Sequence, residues 1–233
     1  MTVSLPLDKV KSTQNLVSAF ISKGQVTVKQ LQKLMGTLEA ARPAVTTAPL
    51  HYRRTQQLLV CATKKKWPMS RVIKFSESVI EELSWWVSSL QENRSSPMRV
   101  PPTDISIWSD AATNEGCGWG GHSSVGETIQ GVWSQEEREL HINVLETLGA
   151  VRVIEALLPP NKTAAHFIDN MTAVAYVRNF GGTKSKGSCK EALNYWDIVL
   201  SRDSWVIPSH IAGVDNVMAD YFSRPQIADH DYG

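Results

Sequence analysis

Ile105-Ser106-Ile107-Trp108-Ser109-Asp110 is a short β-type run that ends on a carboxylate. Ala111-Ala112 follow, and then the Gly-rich segment Gly116-Cys117-Gly118-Trp119-Gly120-Gly121. A strand that ends in Asp ahead of a turn is ordinarily a turn-former. The same Asp, beside glycines that bring the next strand close, can instead hold a metal ion. The choice depends on what the rest of the chain sends to that point.

Downstream, Gly118–Ser123 and Thr128–Trp133 read as two more short strands joined by tight turns, which makes a three-stranded meander. Gln135 to Leu158 is predicted mostly helical and stops at Pro159-Pro160. Thr163 to Asp169 is a fourth strand, Thr172 to Phe180 a short helix ended by Gly181-Gly182, and Lys186 to Arg202 another helix. Trp205 to His210 is a fifth strand and Val214 to Arg224 a final helix. Antiparallel strands followed by alternating helices and strands predict an α/β layout around a mixed five-stranded sheet.

Upstream, the pattern is helical. Lys9 to Ser22 carries Val10, Leu16, Val17, Phe20 and Ile21 on one side, with Gly24 as its stop. Thr27-Val28-Lys29-Gln30 is a capping box that opens a helix with Leu31, Leu34, Met35 and Leu38 at helical spacing, ended before Pro43. Another helix is predicted from Tyr52 to Thr63. Lys64-Lys65-Lys66 with Trp67 follows, a group equally suited to a phosphate backbone or to a solvated helix end. Ser76 or Ser78 caps a further helix lined by Val79, Leu83, Trp86, Val87 and Leu90. Trp85-Trp86 is expected in its core rather than as a base-stacking platform. Residues 1–100 are thus expected to be all-helical, and the polar, Pro-rich Gln91 to Pro102 is the expected domain boundary.

The 233 residues suffice for one large or two smaller domains. The three cysteines, Cys61, Cys117 and Cys189, are odd in number and widely spaced, which argues against a disulfide framework or zinc ribbon and suits a reducing compartment. There is no apolar run of membrane-spanning length and no signal-peptide pattern. The expectation is an intracellular protein of nucleus or cytoplasm, not secreted and without a membrane partner. The glycosylation-type triplets at Asn161 and Asn170 then carry no meaning.

The net charge of +1 conceals an asymmetry. Residues 1–100 hold 15 Lys and Arg against 6 Asp and Glu, and residues 101–233 hold 9 against 17. A basic half points to a polyanion partner, and an acidic half containing a metal site is compatible with one. Two solvated surfaces of opposite sign would give the same pattern.

Four carboxylates fall where the predicted elements can bring them together: Asp110 at the end of the first strand, Glu146 in the first long helix, Asp169 at the end of the fourth strand, and Asp220 in the last helix. Each alone reads as a cap, a turn or a surface charge. Glu146 among Val144, Leu145 and Leu148, and Asp169 after Ala164-Ala165-His166-Phe167-Ile168, end apolar runs and need partners or metal. Four such groups around one point cannot coexist bare. They favour a hard cation, with Mg²⁺ the natural one, and two ions roughly 4 Å apart clamp the attacking and leaving oxygens of a phosphodiester displacement. His210 is placed at the edge of such a site, where it could move a proton or help a product leave.

Residues 105–224 resemble the ribonuclease H domain of a reverse-transcribing element. The resemblance rests on Ser109-Asp110-Ala111, Asn143-Val144-Leu145-Glu146-Thr147, Ile168-Asp169-Asn170 and the segment His210 to Arg224, with Asn216, Ala219, Asp220, Ser223 and Arg224 at their motif positions. His141-Ile142-Asn143 and Asn170 to Ser185 are similar to the DIRS-like retroelements, with a gypsy-like element as the alternative type. Leu31 to Leu38, Arg42-Pro43 and Glu82-Leu83-Ser84-Trp85-Trp86 are similar to the thumb and connection segment of such reverse transcriptases.

The resemblance implies a ribonuclease H-like three-layer α/β fold with a mixed five-stranded sheet over residues 101–226. A small, basic, all-helical thumb or connection-like segment over 1–100 would precede it and a tail over 227–233 would follow. It implies hydrolysis of the RNA strand of an RNA–DNA hybrid with catalytic Asp110, Glu146, Asp169, His210 and Asp220. Asp110, Glu146, Asp169 and Asp220 would hold two Mg²⁺ ions, with Mn²⁺ able to substitute. It also implies that Asn143 and Asn170 contact the nucleic-acid strands. Lys184, Ser185 and Lys186 could hold a phosphate of the DNA strand or form a solvated turn. Implied partners are an RNA–DNA hybrid or other nucleic-acid duplex and a reverse transcriptase polymerase domain. No polymerase aspartate pair is present, so the chain is expected not to polymerise. Two departures, a longer Asp110–Trp119 loop and Phe222 where Leu is usual, touch no proposed ligand. A catalytically silent nucleic-acid-binding remnant is the alternative. Integrase-type strand transfer is disfavoured, because those enzymes place a Glu on the last catalytic helix where this chain has Asp220.

Overall fold

A computed structural model describes residues 1–98, 101–114 and 116–224. The chain divides into two units, Met1–Val100 and Pro101–Gly233. The expected tail, 227–233, lies outside the described residues. Among the described residues no helix is long and apolar enough to cross a membrane.

In the first unit, β1 (Thr2–Ser4) precedes α1 (Leu7–Lys23), which ends on Gly24 in the left-handed conformation, at φ 62°. Gly24 bonds back to the Phe20 and Ile21 carbonyls, so the residue read as a stop is a helix cap that only glycine adopts without strain. β2 (Gln25–Thr27) runs into α2 (Val28–Ala40), whose Thr27–Gln30 capping box is present in both directions. α3 (Arg53–Lys64), β3 (Val72–Lys74), α4 (Glu77–Ser88) and β4 (Ser95–Pro97) complete the unit. Ser76 stands at the start of α4, but its side chain makes no capping bond there.

The core holds Val10, Val17, Phe20, Leu31, Leu34, Leu38, Leu83, Trp86 and Leu90, all buried, from α1, α2, α4 and the turn after α4. Each large side chain of this kind contributes about 1.5–3 kcal/mol relative to exposure. Trp86 is fully buried and donates its indole N–H to the His51 carbonyl at 2.7 Å, while Trp85 stacks on the His51 ring. Trp86 is therefore core, and Trp85, partly buried, packs against that core.

The first unit is not all-helical. β1 pairs with β4 and β2 with β3, both antiparallel, with Val26 opposite Ile73. Three-residue strands are too short for an alternation to register in a sequence. In the β2–β3 ribbon Val26 and Ile73 bury their side chains in the helical core while the backbones pair.

In the second unit, β5 (Ile105–Ala111), β6 (Gly118–Ser123) and β7 (Thr128–Val132) form the antiparallel meander. β8 (Thr163–Ile168) lies parallel to β5, and β9 (Trp205–His210) parallel to β8. The mixed five-stranded sheet has the order β7-β6-β5-β8-β9. Its helices are α5 (Gln135–Arg138), α6 (Ile142–Leu157), α7 (Met171–Arg178), α8 (Lys186–Ser201) and α9 (Val217–Ser223). The helix expected from Gln135 to Leu158 is broken between Arg138 and Ile142. Glu137 closes a capping box with Ser134, and His141 starts a separate helix as its N-cap. The expected final helix begins later, at Val217, after a 3₁₀ turn over Gly213–Asp215.

Neighbouring residues of β6 show how the layers lie. A Cβ on Gly121 would meet Val153 of α6 at 2.6 Å, whereas one on Gly120 would meet Phe222 of α9 at 2.4 Å. Successive residues of a strand point to opposite faces, so α6 and α9 cover opposite sides of the sheet. Gly120 is required by this close approach, and Phe222 is the side chain that fills it. The α/β architecture and the mixed five-stranded sheet with flanking helices are those expected.

Candidate active site

The site lies where β5 and β8 run side by side. Asp110 is the next-to-last residue of β5, and Asp169 directly follows β8. Parallel pairing sets Ser109 against Ile168, which places Asp110 and Asp169 as neighbours at one edge. Glu146 enters from α6, where Val144, Leu145, Thr147 and Ala150 around it are buried. Asp220 comes from α9 on the opposite face. The four proposed metal-binding acids are thus delivered by two adjacent strands and two helices.

Their electrostatics show mutual proximity. Burial pushes Asp110 up to about 6. The Ser223 hydroxyl opposes that shift, and the charges of Asp169 and Asp220 add to it. Burial, followed by the charges of Asp169 and Asp110, pushes Glu146 up to about 8 against the Asn170 amide. Asp169 Oδ1 and Glu146 Oε2 are buried without a hydrogen-bond partner in the structure. An unmatched buried carboxylate oxygen is costly and demands a cation or a proton.

Two of the acids are committed to local partners. Asp110 Oδ2 accepts from the Ser223 hydroxyl at 2.5 Å. Asp220 takes Arg224 in a two-pronged ion pair, Nε to Oδ2 at 2.9 Å and Nη2 to Oδ1 at 2.5 Å. Among the described residues, no three His, Cys, Asp or Glu side chains are gathered into a finished ligating set. The donors still fit a hard cation: all are carboxylate oxygens, two are buried and unmatched, and the Asp220 pair is surface-exposed and hence weak.

The remaining candidates surround these acids. His210 is exposed at the end of β9 and donates from Nε2 to the Asp169 carbonyl at 3.0 Å. Asn143, in the first turn of α6, takes the Asn170 side-chain amide on its Oδ1 at 3.4 Å. Asn170 is the N-cap of α7, and its Oδ1 accepts from the Thr172 and Ala173 amides. Ser185 is the N-cap of α8, accepting from Ser188 N–H, and Lys184 and Lys186 beside it are exposed. Ser188 donates to the Asn143 carbonyl at 3.4 Å, which brings the start of α8 to the start of α6.

Several residues to which the sequence reading gave no role hold the site from below. His166 is fully buried between the hydroxyls of Ser109 and Tyr195, each at 2.8 Å, and burial pushes it down to about 3, so its ring is neutral. Asn216 donates its amide to the Ser109 carbonyl at 3.0 Å. Ser223 and Asn216 were visible only as motif positions.

No family model matches the chain, and no curated protein matches it. Among solved structures it is similar to ribonuclease H1 from the halophilic archaeon Halobacterium salinarum NRC-1. That match has 14% identity and a TM-score of 0.40, over 51% of this chain and 93% of that one. It is also similar to the foamy viral protease-reverse transcriptase dRH solved in complex with double-stranded DNA. There the identity is 13% and the TM-score 0.31, over 88% of this chain and 35% of that one. The chain therefore spans about a third of the viral protein.

Proposed function

We propose that residues 101–224 hydrolyse the RNA strand of RNA–DNA hybrids, as the ribonuclease H part of a retroelement polyprotein or a remnant of one, of DIRS-like or gypsy-like type. The observation that carries the reading is the convergence of Asp110, Glu146, Asp169 and Asp220 from four elements, with buried carboxylate oxygens on Glu146 and Asp169 that no protein group satisfies. A purely structural cluster of acids would be expected to find donors.

In this reading Asp110, Glu146, Asp169 and Asp220 hold two Mg²⁺ ions, or Mn²⁺ in their place. The chemistry such ions supply is activation of water and neutralisation of charge on the leaving 3′ oxygen. His210, exposed beside Asp169, hands a proton to the departing oxygen or helps release the product. Asn143 and Asn170, linked to each other and set beside Glu146, contact the sugar edges of the minor groove, where a hybrid is read by shape and 2′-hydroxyls. Lys184, Ser185 and Lys186 take a phosphate of the DNA strand. In the first unit, Arg71 and Lys65 lie over the Trp67 ring, at 4.0 and 5.5 Å, beside exposed Lys64 and Lys66, and this basic surface suits the same polyanion.

The test is incubation of the protein and its Asp169→Asn variant with end-labelled RNA–DNA hybrid, duplex DNA and free RNA in Mg²⁺. Cleavage of RNA in the hybrid alone, dependent on Asp169, is expected. Hybrid cleavage no greater than that of the variant overturns the proposal.

A further inference from the structure

Asp220 sits on a helix of seven residues, too short to be stable alone. Val217, Met218 and Tyr221 face outward, and its apolar anchors are Ala219, which is buried, and Phe222 over Gly120. Asp220 and Asp110 can serve one cation only if something fixes this helix on β5.

Two buried residues do so, on either side of Asp220. Asn216 is 2% exposed and stands at the N-cap position, where an Asn side chain ordinarily accepts from the first turn's amides. Here it makes no capping bond. Its amide crosses to the Ser109 carbonyl of β5 at 3.0 Å, and its own carbonyl accepts the Asp220 N–H at 3.0 Å. Ser223 is 1% exposed, and its hydroxyl lies 2.5 Å from Asp110 Oδ2 and 2.9 Å from the Asp220 carbonyl. Ser223 therefore touches both the Asp220 carbonyl and the Asp110 carboxylate, while the Asn216 side chain ties the start of the helix to the strand of Asp110. Below that strand, His166 holds the Ser109 hydroxyl at 2.8 Å, so the anchor point is itself fixed.

We propose that Asn216 and Ser223 are positioning residues, which set the spacing and orientation of Asp110 and Asp220 and thereby the affinity of the site for a divalent cation. An N-cap amide diverted from its helix and a buried hydroxyl given to a carboxylate are both spent on the same relation between two acids. The inference rests on the metal-dependent reading of the site. Ser223 also orients the Asp110 carboxylate directly, in the way that partners of metal ligands generally do, and loss of such partners costs 10–100-fold in metal affinity or activity.

The experiment measures Mn²⁺ binding by electron paramagnetic resonance on the full chain, together with the Mg²⁺ dependence of hybrid cleavage. The proteins compared are wild type, Asp169→Asn, Asn216→Ala, Ser223→Ala and Ser223→Thr. Cooperative thermal unfolding identifies folded variants, and Ser223→Cys, of similar volume, replaces Ser223→Ala if the latter does not fold. The expected result is Asp169-dependent Mn²⁺ binding in the wild type, weakened about 10–100-fold in Asn216→Ala and Ser223→Ala. Ser223→Thr, which keeps the hydroxyl, should stay within a few-fold of wild type, and half-maximal Mg²⁺ should rise while KM for the hybrid holds. Asp169-dependent binding that is unchanged in the folded Asn216 and Ser223 variants overturns this inference and leaves the proposed function standing. Absence of any Asp169-dependent binding overturns both.

Discussion

Among the described residues each unit buries one glutamate on a helix, and the two are held in opposite ways. Glu82 of α4 and Glu146 of α6 are 8% and 9% exposed, and burial pushes both above the usual carboxylate range. Glu82 Oε1 accepts the Arg54 amide at 2.7 Å, and Oε2 accepts the Thr55 amide at 2.9 Å and the Thr55 hydroxyl at 2.7 Å. It closes the start of α3, where the amides of the first turn have no helical acceptor. Glu146 has a buried oxygen with no partner and two acids, Asp169 and Asp110, as neighbours. Equal burial thus separates an acid that holds the fold together from one that the fold tolerates at a cost. Such a cost persists where a site needs it.

The sharpest way to break this comparison is to neutralise the second kind of acid. Asp169→Asn should leave the sheet intact and reduce hybrid cleavage by more than about 100-fold, the upper range for merely losing a ligand's partner. Circular dichroism checks the fold and a single-turnover assay the rate. Residual activity near wild type would place the chemistry elsewhere.

Stability should respond in the reverse order. Glu82→Ala strips α3 of three acceptor contacts and leaves the buried Thr55 hydroxyl unmatched, so it should cost about 1.5–3 kcal/mol in denaturant unfolding. Glu146→Gln puts a neutral isostere in place of an acid that burial already holds largely protonated below about pH 8, and should be neutral or stabilising while cleavage is lost. Loss of stability in both variants, by similar amounts, would erase the distinction.

The same contrast has a pH signature. Glu146 moves from its ordinary 4.5 to about 8 on folding, and Asp110 from 3.8 to about 6. Between those limits the folded state binds more protons than the unfolded one, so stability falls as pH rises. The contribution is complete below the ordinary values and gone above about pH 8. Melting temperature measured without divalent cations should therefore decline across that window, and Glu146→Gln should flatten most of the decline.

How much of this was legible in the chain follows from the range of the interactions. β9 was readable to the residue, Trp205 to His210, because turn residues bound it on both sides. Gly24 and the Thr27–Gln30 box were readable because caps are local chemistry. The ribbons of the first unit were not, since three residues carry no period. Glu146 and Asp169 could be nominated because each ends or interrupts an apolar run, Asp110 because it ends a strand beside glycines, and Asp220 by its place in the last helix and its motif position. The work of Asn216 and Ser223 was out of reach: their partners lie 107 and 113 positions away, and only the pairing of β5 with α9 brings them together. Asn216 stands at the N-cap position of α9, inside the helix expected from Val214, and its side chain bonds β5 instead of capping.

The smallest effect tests how weakly the fourth acid is held. Arg224 and Asp220 are four residues apart on an exposed helix end, with side chains 52% and 41% accessible. Solvent screens such a pair to about 0.3–0.5 kcal/mol, so a double-mutant cycle of Arg224→Ala with Asp220→Asn should give a coupling no larger than that. The contrast with the buried Ser223 hydroxyl on Asp110 is the informative part. If Asp220 is poised for a cation, its guanidinium partner must be one that a divalent ion can displace, and a weak, solvated pair meets that condition. A coupling of more than about 1 kcal/mol in that cycle, measured by urea unfolding, would mean that the pair is a structural clamp. Asp220 would then belong with Glu82, among the acids that the fold has already used.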